Sequence, residues 1–161
     1  MGMFIRAFAY LLSYGKDGLA QVSGDAVLSA NYVMVRLADL MTPSFVGPCM
    51  HECLFDDRFL DGTEVTTLDF AKAMIDEGYH PMTMYFPLVV HGAMLIEPTE
   101  TESKRELDDF IAVMRRLAES AKAGEQAHFA SAPQLTPRRR LDEIMAAREP
   151  MLRWYPEGLE A

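Results

Sequence analysis

Apolar positions along this chain recur mostly at helical spacing. Residues Met3 to Leu12 are apolar nearly all round, which is typical of a buried helix, and Gly15 is placed to end it. The spacing then predicts a longer amphipathic helix from Asp25 to Met41, with Ser23 or Asp25 as its N-cap and Thr42-Pro43 at its end. The chain therefore opens with two predicted helices.

The middle of the chain alternates predicted strands and helices. Four short apolar runs have the length expected of strands, at residues 45–46, 49–55, 82–86 and 93–96. Amphipathic helices are predicted at about 66–78 and from Leu107 to Ala118. This order predicts an α+β domain in which a small antiparallel sheet is covered by helices on one face. After Ala118 the composition is that of a linker, followed by a short helix from about Arg138 to Arg148 and an extended tail.

Composition limits the classes of function. At 161 residues, of which 50% are hydrophobic, the chain can form one sizeable core. A net charge of −9 and a pI near 4.8 argue against a nucleic acid partner. No apolar run approaches the roughly 20 residues of a membrane span, and Arg6 interrupts the N-terminal apolar segment, which no signal cleavage site follows. With two cysteines, we expect a soluble, cytoplasmic protein without a disulfide framework.

The acidic and hydroxyl-rich stretch from Ala93 to Phe110 has a mainly structural interpretation. Thr99 is followed three residues later by Glu102, which predicts a capping box at the start of a helix. Glu100 then lies in the first turn, where the helix dipole favours negative charge. This interpretation gives Glu97 no structural role, so Glu97 is a candidate functional residue.

Two further motifs admit a structural and a chemical interpretation. Cys49, His51 and Cys53 would share one strand face as metal ligands, but the sequence offers no fourth ligand with partnered spacing. We therefore predict no metal site and a buried strand. His80 stands between a helix end and Pro81, where it can bond the last helix carbonyls or line the mouth of a cleft.

Five phrases of the chain, taken in order, resemble one enzyme family. They are DAVLSANYVMVRL, the HE of CMHECLF, AKAMIDEGYHPMTMYFP, MLIEPTETESKRELDDFI and TPRRRLDEIMAAREPMLRW. The family is glycine dehydrogenase (decarboxylating), the P-protein of the glycine cleavage system, and the pattern resembles the C-terminal portion of subunit 2 of its two-subunit bacterial form. The resemblance covers nearly the whole chain.

This resemblance implies the small C-terminal domain of a fold-type-I pyridoxal-phosphate (PLP) enzyme of the aspartate-aminotransferase architecture. Residues 1–24 would be a remnant helix from the end of the large cofactor domain. Residues 25–120 would be the small domain with its long connector helix, and 121–161 a linker, a short helix and an extended tail. In the complete enzyme, PLP serves as the electron sink for the decarboxylation of glycine, and the aminomethyl group passes to the lipoyl arm of the H-protein.

The resemblance also implies what this chain lacks and which residues it contributes. The cofactor lysine of the family follows a histidine, and none of this chain's lysines does. We therefore expect no catalytic residue and no bound PLP in this chain alone. Residues matching the family's motifs are predicted to line the substrate entrance: His51, Glu52, His80, Thr83, Glu97, Thr99 and Glu100. The expected partners are the missing large PLP domain or a partner P-protein subunit, and the lipoylated H-protein; the apolar segment Met3 to Leu12 also predicts self-association.

Three interpretations follow from the sequence. The first is a part of a glycine decarboxylase that is active only with its missing portion. The second is a non-catalytic binding module that keeps the fold and contact surface of that domain. The third is a stand-alone metal-binding domain built on Cys49, His51 and Cys53.

Overall fold

The structure, a computed structural model, describes residues 1–154. Its elements in chain order are α1 (Gly2–Leu37), β1 (Thr42–Pro43), β2 (Cys53–Asp56), a 3-10 helix (Asp57–Leu60), α2 (Thr67–Asp76), β3 (Thr83–Met84), β4 (Met94–Ile96), α3 (Lys104–Lys122), α4 (Gln126–Ser131) and α5 (Glu143–Arg148). The end of the predicted tail, from residue 155, lies outside the described residues.

The four strands form one antiparallel sheet in the order β1-β2-β4-β3. Because side chains alternate between the two faces of a strand, one face of β2 and β4 is buried and the other is not. Four residues of the buried face are Cys53, Phe55, Met94 and Ile96. Leu54 and Leu95, on the other face, are only half-buried. The predicted α+β domain, with a small antiparallel sheet and helices, is confirmed.

The core lies between the sheet and the helices. α2 begins with a capping box between Thr66 and Asp69, and its Phe70 ring packs between Phe59, at 5.7 Å, and Phe129, at 6.2 Å. Such aromatic pairs add about 0.5–1.5 kcal/mol each beyond the apolar area that they bury. α3 contributes a continuous apolar stripe to the same core: Leu107, Ile111, Met114, Leu117 and Ala121.

The structure differs from the predicted start and end of the second helix. α1 runs through the predicted boundary, and only Gly15, with φ 60° and ψ −171°, interrupts its helical backbone. Ser23 is not an N-cap, because its hydroxyl donates to the carbonyl of Leu19 one turn earlier within the helix. The helix ends at Leu37, and Thr42–Pro43 pairs with β2 as β1. The predicted strand at 45–46 is wrong, since these residues are exposed and unpaired.

The segment after α3 also differs from the predicted linker. α4 inserts Phe129 into the core, where it is 1% exposed. Arg140 fixes this segment to the rest of the domain. Its guanidinium donates to the Ala132 and Phe129 carbonyls, both at 2.8 Å, and pairs with Asp69 at 2.6 Å. Burial alone would raise the pKa of Asp69, but hydrogen bonds from Thr66 and the Arg140 charge hold that pKa below its ordinary value. The linker-like composition after Ala118 gives no sign that Phe129 belongs to the core, and the Arg140–Asp69 pair joins positions that are 71 apart.

The first turns of α1 are exposed in the part of the chain that the structure describes. Residues 2–17 are all exposed, and Phe4 and Leu12 are 76% and 67% accessible to solvent. No helix within residues 1–154 is both long enough and apolar enough to cross a membrane. Exposed apolar patches of this kind are typical of surfaces that bind another molecule.

Candidate functional site

The register of the sheet brings several predicted entrance residues to one end. β2 begins at Cys53, which pairs with Ile96, the last residue of β4. Glu52 and Glu97 are the next residues outward and lie side by side just beyond the ladder. Antiparallel pairing thus joins two motifs that are 45 positions apart in the sequence.

One imidazole and two carboxylates cluster at this end. His51 Nε2 is 3.7 Å from Glu52 Oε1 and 3.9 Å from Glu97 Oε1. The segment before His51 is fixed to α1, because the Asn31 side chain donates to the Cys49 carbonyl at 2.7 Å and accepts from the Cys49 N–H at 3.0 Å. The three side chains are 53%, 38% and 56% exposed, so the cluster is open to a ligand.

A cavity of about 580 Å³ opens beside this cluster, between β3, the end of β4 and the first turns of α3. Four of the predicted residues line it: His80, Thr83, Glu97 and Thr99. Part of its wall is aromatic, with the Tyr79 and Phe110 rings meeting edge to face at 5.4 Å. Three further carboxylates line it: Glu102, Glu106 and Asp109. This mixture of apolar wall and negative charge favours a ligand with a positively charged group.

The predicted capping box at Thr99 and Glu102 is wrong. α3 begins at Lys104, and its box lies four residues later: the Ser103 hydroxyl accepts from the Glu106 N–H at 3.3 Å, and the Glu106 carboxylate accepts from the Ser103 N–H at 2.8 Å. Both pairs have the required spacing, but residues 99–102 form a turn, closed by a bond from the Glu102 N–H to the Thr99 carbonyl at 3.2 Å. Thr99 is therefore not an N-cap; it lines the cavity, and its hydroxyl lies 2.7 Å from the Thr101 hydroxyl.

Glu100 points away from the cavity and bonds to α1. The Tyr10 hydroxyl donates to Glu100 Oε1 at 2.6 Å. This bond to a carboxylate raises the pKa of Tyr10 to about 12 and lowers the pKa of Glu100. Tyr10 was not identified from the sequence. Its phenol hydroxyl within an otherwise apolar helix was the available signal, because such a group usually has a hydrogen-bond partner.

The cysteines do not join the cluster. Burial raises the pKa of the Cys53 thiol to about 12, whereas a zinc ligand must be a thiolate. Cys49 has a pKa raised by partial burial as well. Within residues 1–154, the one group of three potential metal ligands that lie close together is His51, Glu52 and Glu97. The three-residue set Cys49, His51 and Cys53 is therefore not assembled.

The four lysines lie on helices, away from the cavity. Lys104 is paired with Asp108 at 2.6 Å, and Lys122 donates to the Leu40 carbonyl at 2.8 Å. Both lie on the exposed surface of α3. The other two, Lys16 and Lys72, are also on helices, and no lysine lines the cavity.

Comparison with known proteins agrees with this architecture. A family model described as "Glycine dehydrogenase, C-terminal domain" matches residues 22–136. The chain belongs to this family. It is similar to the proteins named "Probable glycine dehydrogenase (decarboxylating) subunit 2" of Caulobacter vibrioides, at 69% identity over 157 residues, and of Kosmotoga olearia, at 46% over 157 residues. These matches cover 97% of this chain but 30% and 32% of the two relatives.

A third relative of the same name, from Desulforamulus reducens, is 45% identical over 159 residues, with 96% of this chain and 32% of that protein covered. The chain therefore spans about a third of the length of the curated relatives that it matches. The family membership confirms the predicted C-terminal domain of glycine dehydrogenase, and it favours the first interpretation of the sequence over the binding module.

Proposed function

We propose that this chain supplies the small C-terminal domain of a PLP-dependent glycine decarboxylase with the aspartate-aminotransferase architecture. The family membership of residues 22–136 and the lengths of the relatives support this proposal. Under this proposal, PLP and the lysine that binds it belong to a large domain or to a partner P-protein subunit. When bound there, PLP supplies the electron sink for loss of CO₂ from glycine. The residues described here bind and orient the reactants.

The observation that carries the proposal is the convergence of separate motifs on one end of the sheet. His51 and Glu52 precede β2, His80 and Thr83 begin the β3 segment, and Glu97 follows β4. We infer that these residues, with Thr99, shape the entrance used by glycine and by the lipoyl arm of the H-protein. The cavity carboxylates favour the ammonium group of glycine, and the aromatic wall offers apolar contact to the arm.

Glu100 has an indirect role in this proposal. Its bond to Tyr10 holds the 99–102 turn against α1, and that turn carries Thr99 into the cavity. The exposed apolar turns of α1 are in contact with the large domain in the complete enzyme. Without that domain, we expect the same surface to drive self-association, which sedimentation of the chain at rising concentration will detect.

The cytoplasmic location is also part of the proposal. Cys49 and Cys53 are free thiols, and free cysteines are typical of proteins in a reducing compartment.

Two experiments test the proposal. Borohydride reduction of the chain with PLP, followed by intact mass and peptide mapping, should give no stoichiometric adduct at one lysine. A single adduct that glycine suppresses would contradict the assignment of the cofactor to another domain. In a complete decarboxylase that contains this domain, His51→Ala, His80→Ala and Glu97→Ala should each lower glycine decarboxylation, and unchanged turnover in all three would contradict the entrance role.

A further inference from the structure

The cluster of His51, Glu52 and Glu97 has the composition of a metal site. Its ligating atoms, one from each side chain, all lie within 4.8 Å of one another. An imidazole nitrogen with two carboxylate oxygens is a donor set that suits Zn²⁺ and its first-row neighbours. Although the sequence alone predicts no metal site, we propose that these three side chains bind a divalent transition-metal ion, with Zn²⁺ as the ion that the donor set fits.

The distances fit this assignment with small side-chain movements. Bonds of about 2.0–2.2 Å to a tetrahedral ion place its ligand atoms roughly 3.4 Å apart. The nitrogen of His51 is 3.7 Å from the Glu52 oxygen and 3.9 Å from the Glu97 oxygen. These two separations exceed the ideal by a few tenths of an ångström, and the two glutamate oxygens lie within 4.8 Å of each other. Rotation of the exposed glutamate side chains can bring all three ligand atoms to the required spacing.

The backbone that carries the ligands is held from both sides. Before the cluster, Asn31 fixes Cys49 through two hydrogen bonds to its backbone. After it, the pairing of Cys53 with Ile96 fixes the strand positions next to Glu52 and Glu97. An ion can therefore bind without ordering a loop, so the entropic cost of binding is small.

The two glutamates of the cluster have no basic partner other than His51 among the described residues. Within residues 1–154, Glu52 and Glu97 form ion pairs with His51 and with no lysine or arginine. By contrast, the carboxylates of Asp39, Asp56, Asp69 and Asp108 each pair with a lysine or an arginine. A divalent cation would neutralise the two glutamates, and its remaining coordination positions would face solvent, where water or a ligand carboxylate can occupy them.

The test measures metal binding by the chain itself. ZnCl₂ is titrated into the purified chain at neutral pH by calorimetry, and Co²⁺ is added in parallel because its visible absorption reports coordination by the protein. The expected result is one site, with affinity lowered at least tenfold in each of His51→Ala, Glu52→Gln and Glu97→Gln. These exposed substitutions leave the core intact, and circular dichroism checks that each variant is folded.

Two matched controls separate this site from other donors. His91→Ala removes an exposed histidine that pairs with Asp57 elsewhere, and Cys49→Ser removes the more exposed thiol; both should bind Zn²⁺ as the unaltered chain does. Absence of a stoichiometric site, equal affinity in the three cluster variants, or loss of binding in Cys49→Ser would each overturn the proposal. The measurement requires no enzyme activity, so its outcome is separate from that of the proposed decarboxylase function.

Discussion

The polar side chains at the two ends of the β2–β4 ladder differ in how closely they are bonded to other groups of the protein. At the site end, defined by His51, Glu52 and Glu97, the ion pairs found within residues 1–154 join these side chains to one another, at 3.7 Å or more. At the opposite end, which we call the bonded end, Thr67 donates to the Gly92 carbonyl at 2.8 Å and His91 bonds to Asp57 at 2.9–3.0 Å.

This difference separates groups that stabilise the fold from groups that are available to a ligand. The Thr67 hydroxyl and the Gly92 carbonyl satisfy each other inside the protein, as buried polar groups must. The site end keeps its charges in solvent, where their removal leaves no buried group unpaired. We therefore expect substitutions at the bonded end to change stability and substitutions at the site end to change binding.

The largest effect is expected for Gly92→Ala at the bonded end. Gly92 has φ +56°, and an added Cβ would lie 2.1 Å from Asp57 Cγ, so the variant combines backbone strain with a clash that forces Asp57 away. We expect a loss of about 3 kcal/mol in the free energy of unfolding, measured by urea denaturation. Gly124→Ala is the matched control, since Gly124 has φ +87° with open space around it, and about 1 kcal/mol should be lost there. Equal losses of stability in the two variants would show that Asp57 moves away from the added Cβ without destabilising the fold.

Thr67→Val should have the next largest effect. The hydroxyl of Thr67 is buried, and its removal leaves the Gly92 carbonyl without its partner. An unsatisfied buried acceptor is worth about 1–3 kcal/mol, which urea denaturation resolves. Thr67→Ser keeps the hydroxyl and should lose less, about 0.8 kcal/mol for the missing methyl group. A serine variant that is less stable than the valine variant would mean that packing, and not the hydrogen bond, dominates at this position.

The elements of the fold could be predicted more easily than their ends. The periodic apolar positions of α2 and α3 and the short apolar runs of β2 and β4 appear directly in the sequence. Phe129 could not be placed, because a single aromatic residue in a polar, alanine-rich segment gives no period, and its core position depends on Phe70 in a distant helix. The two consecutive capping-box patterns, Thr99 with Glu102 and Ser103 with Glu106, show the same limit, since their spacing is equal and only the structure shows which one begins α3.

The candidate site was predictable residue by residue but not as an arrangement. His51, Glu52 and Glu97 were identified because they matched family motifs or were left over after caps and core had been assigned. Their contact depends on the antiparallel register between β2 and β4, which local sequence does not determine. Tyr10 was missed for a similar reason: its partner Glu100 is 90 positions away.

A pH-dependent effect is expected from the pair of His91 and Asp57. The hydrogen bond that His91 donates to Asp57, and the negative charge of that carboxylate, raise the pKa of His91 above its ordinary value of 6.5. The pair therefore stabilises the fold fully below about pH 6.5, and this stabilisation is lost as the pH rises through the higher pKa of the folded state. The difference in urea midpoint between the chain and Asp57→Asn should shrink from about pH 5.5 to pH 9. A difference that grows with pH would contradict the direction of the shift.

The smallest change in stability is expected at the site end. Glu97→Gln and His51→Ala remove exposed side chains whose closest ionic contact is 3.7 Å, so the free energy of unfolding should change by less than about 0.5 kcal/mol. In the same two proteins, the affinity for Zn²⁺ should fall at least tenfold. A variant that binds less metal but is equally stable assigns the side chain to ligand binding. A loss of stability close to that of Thr67→Val would instead mean that Glu97 or His51 stabilises the sheet. An exposed ion pair of 3.7–3.9 Å cannot contribute that much free energy.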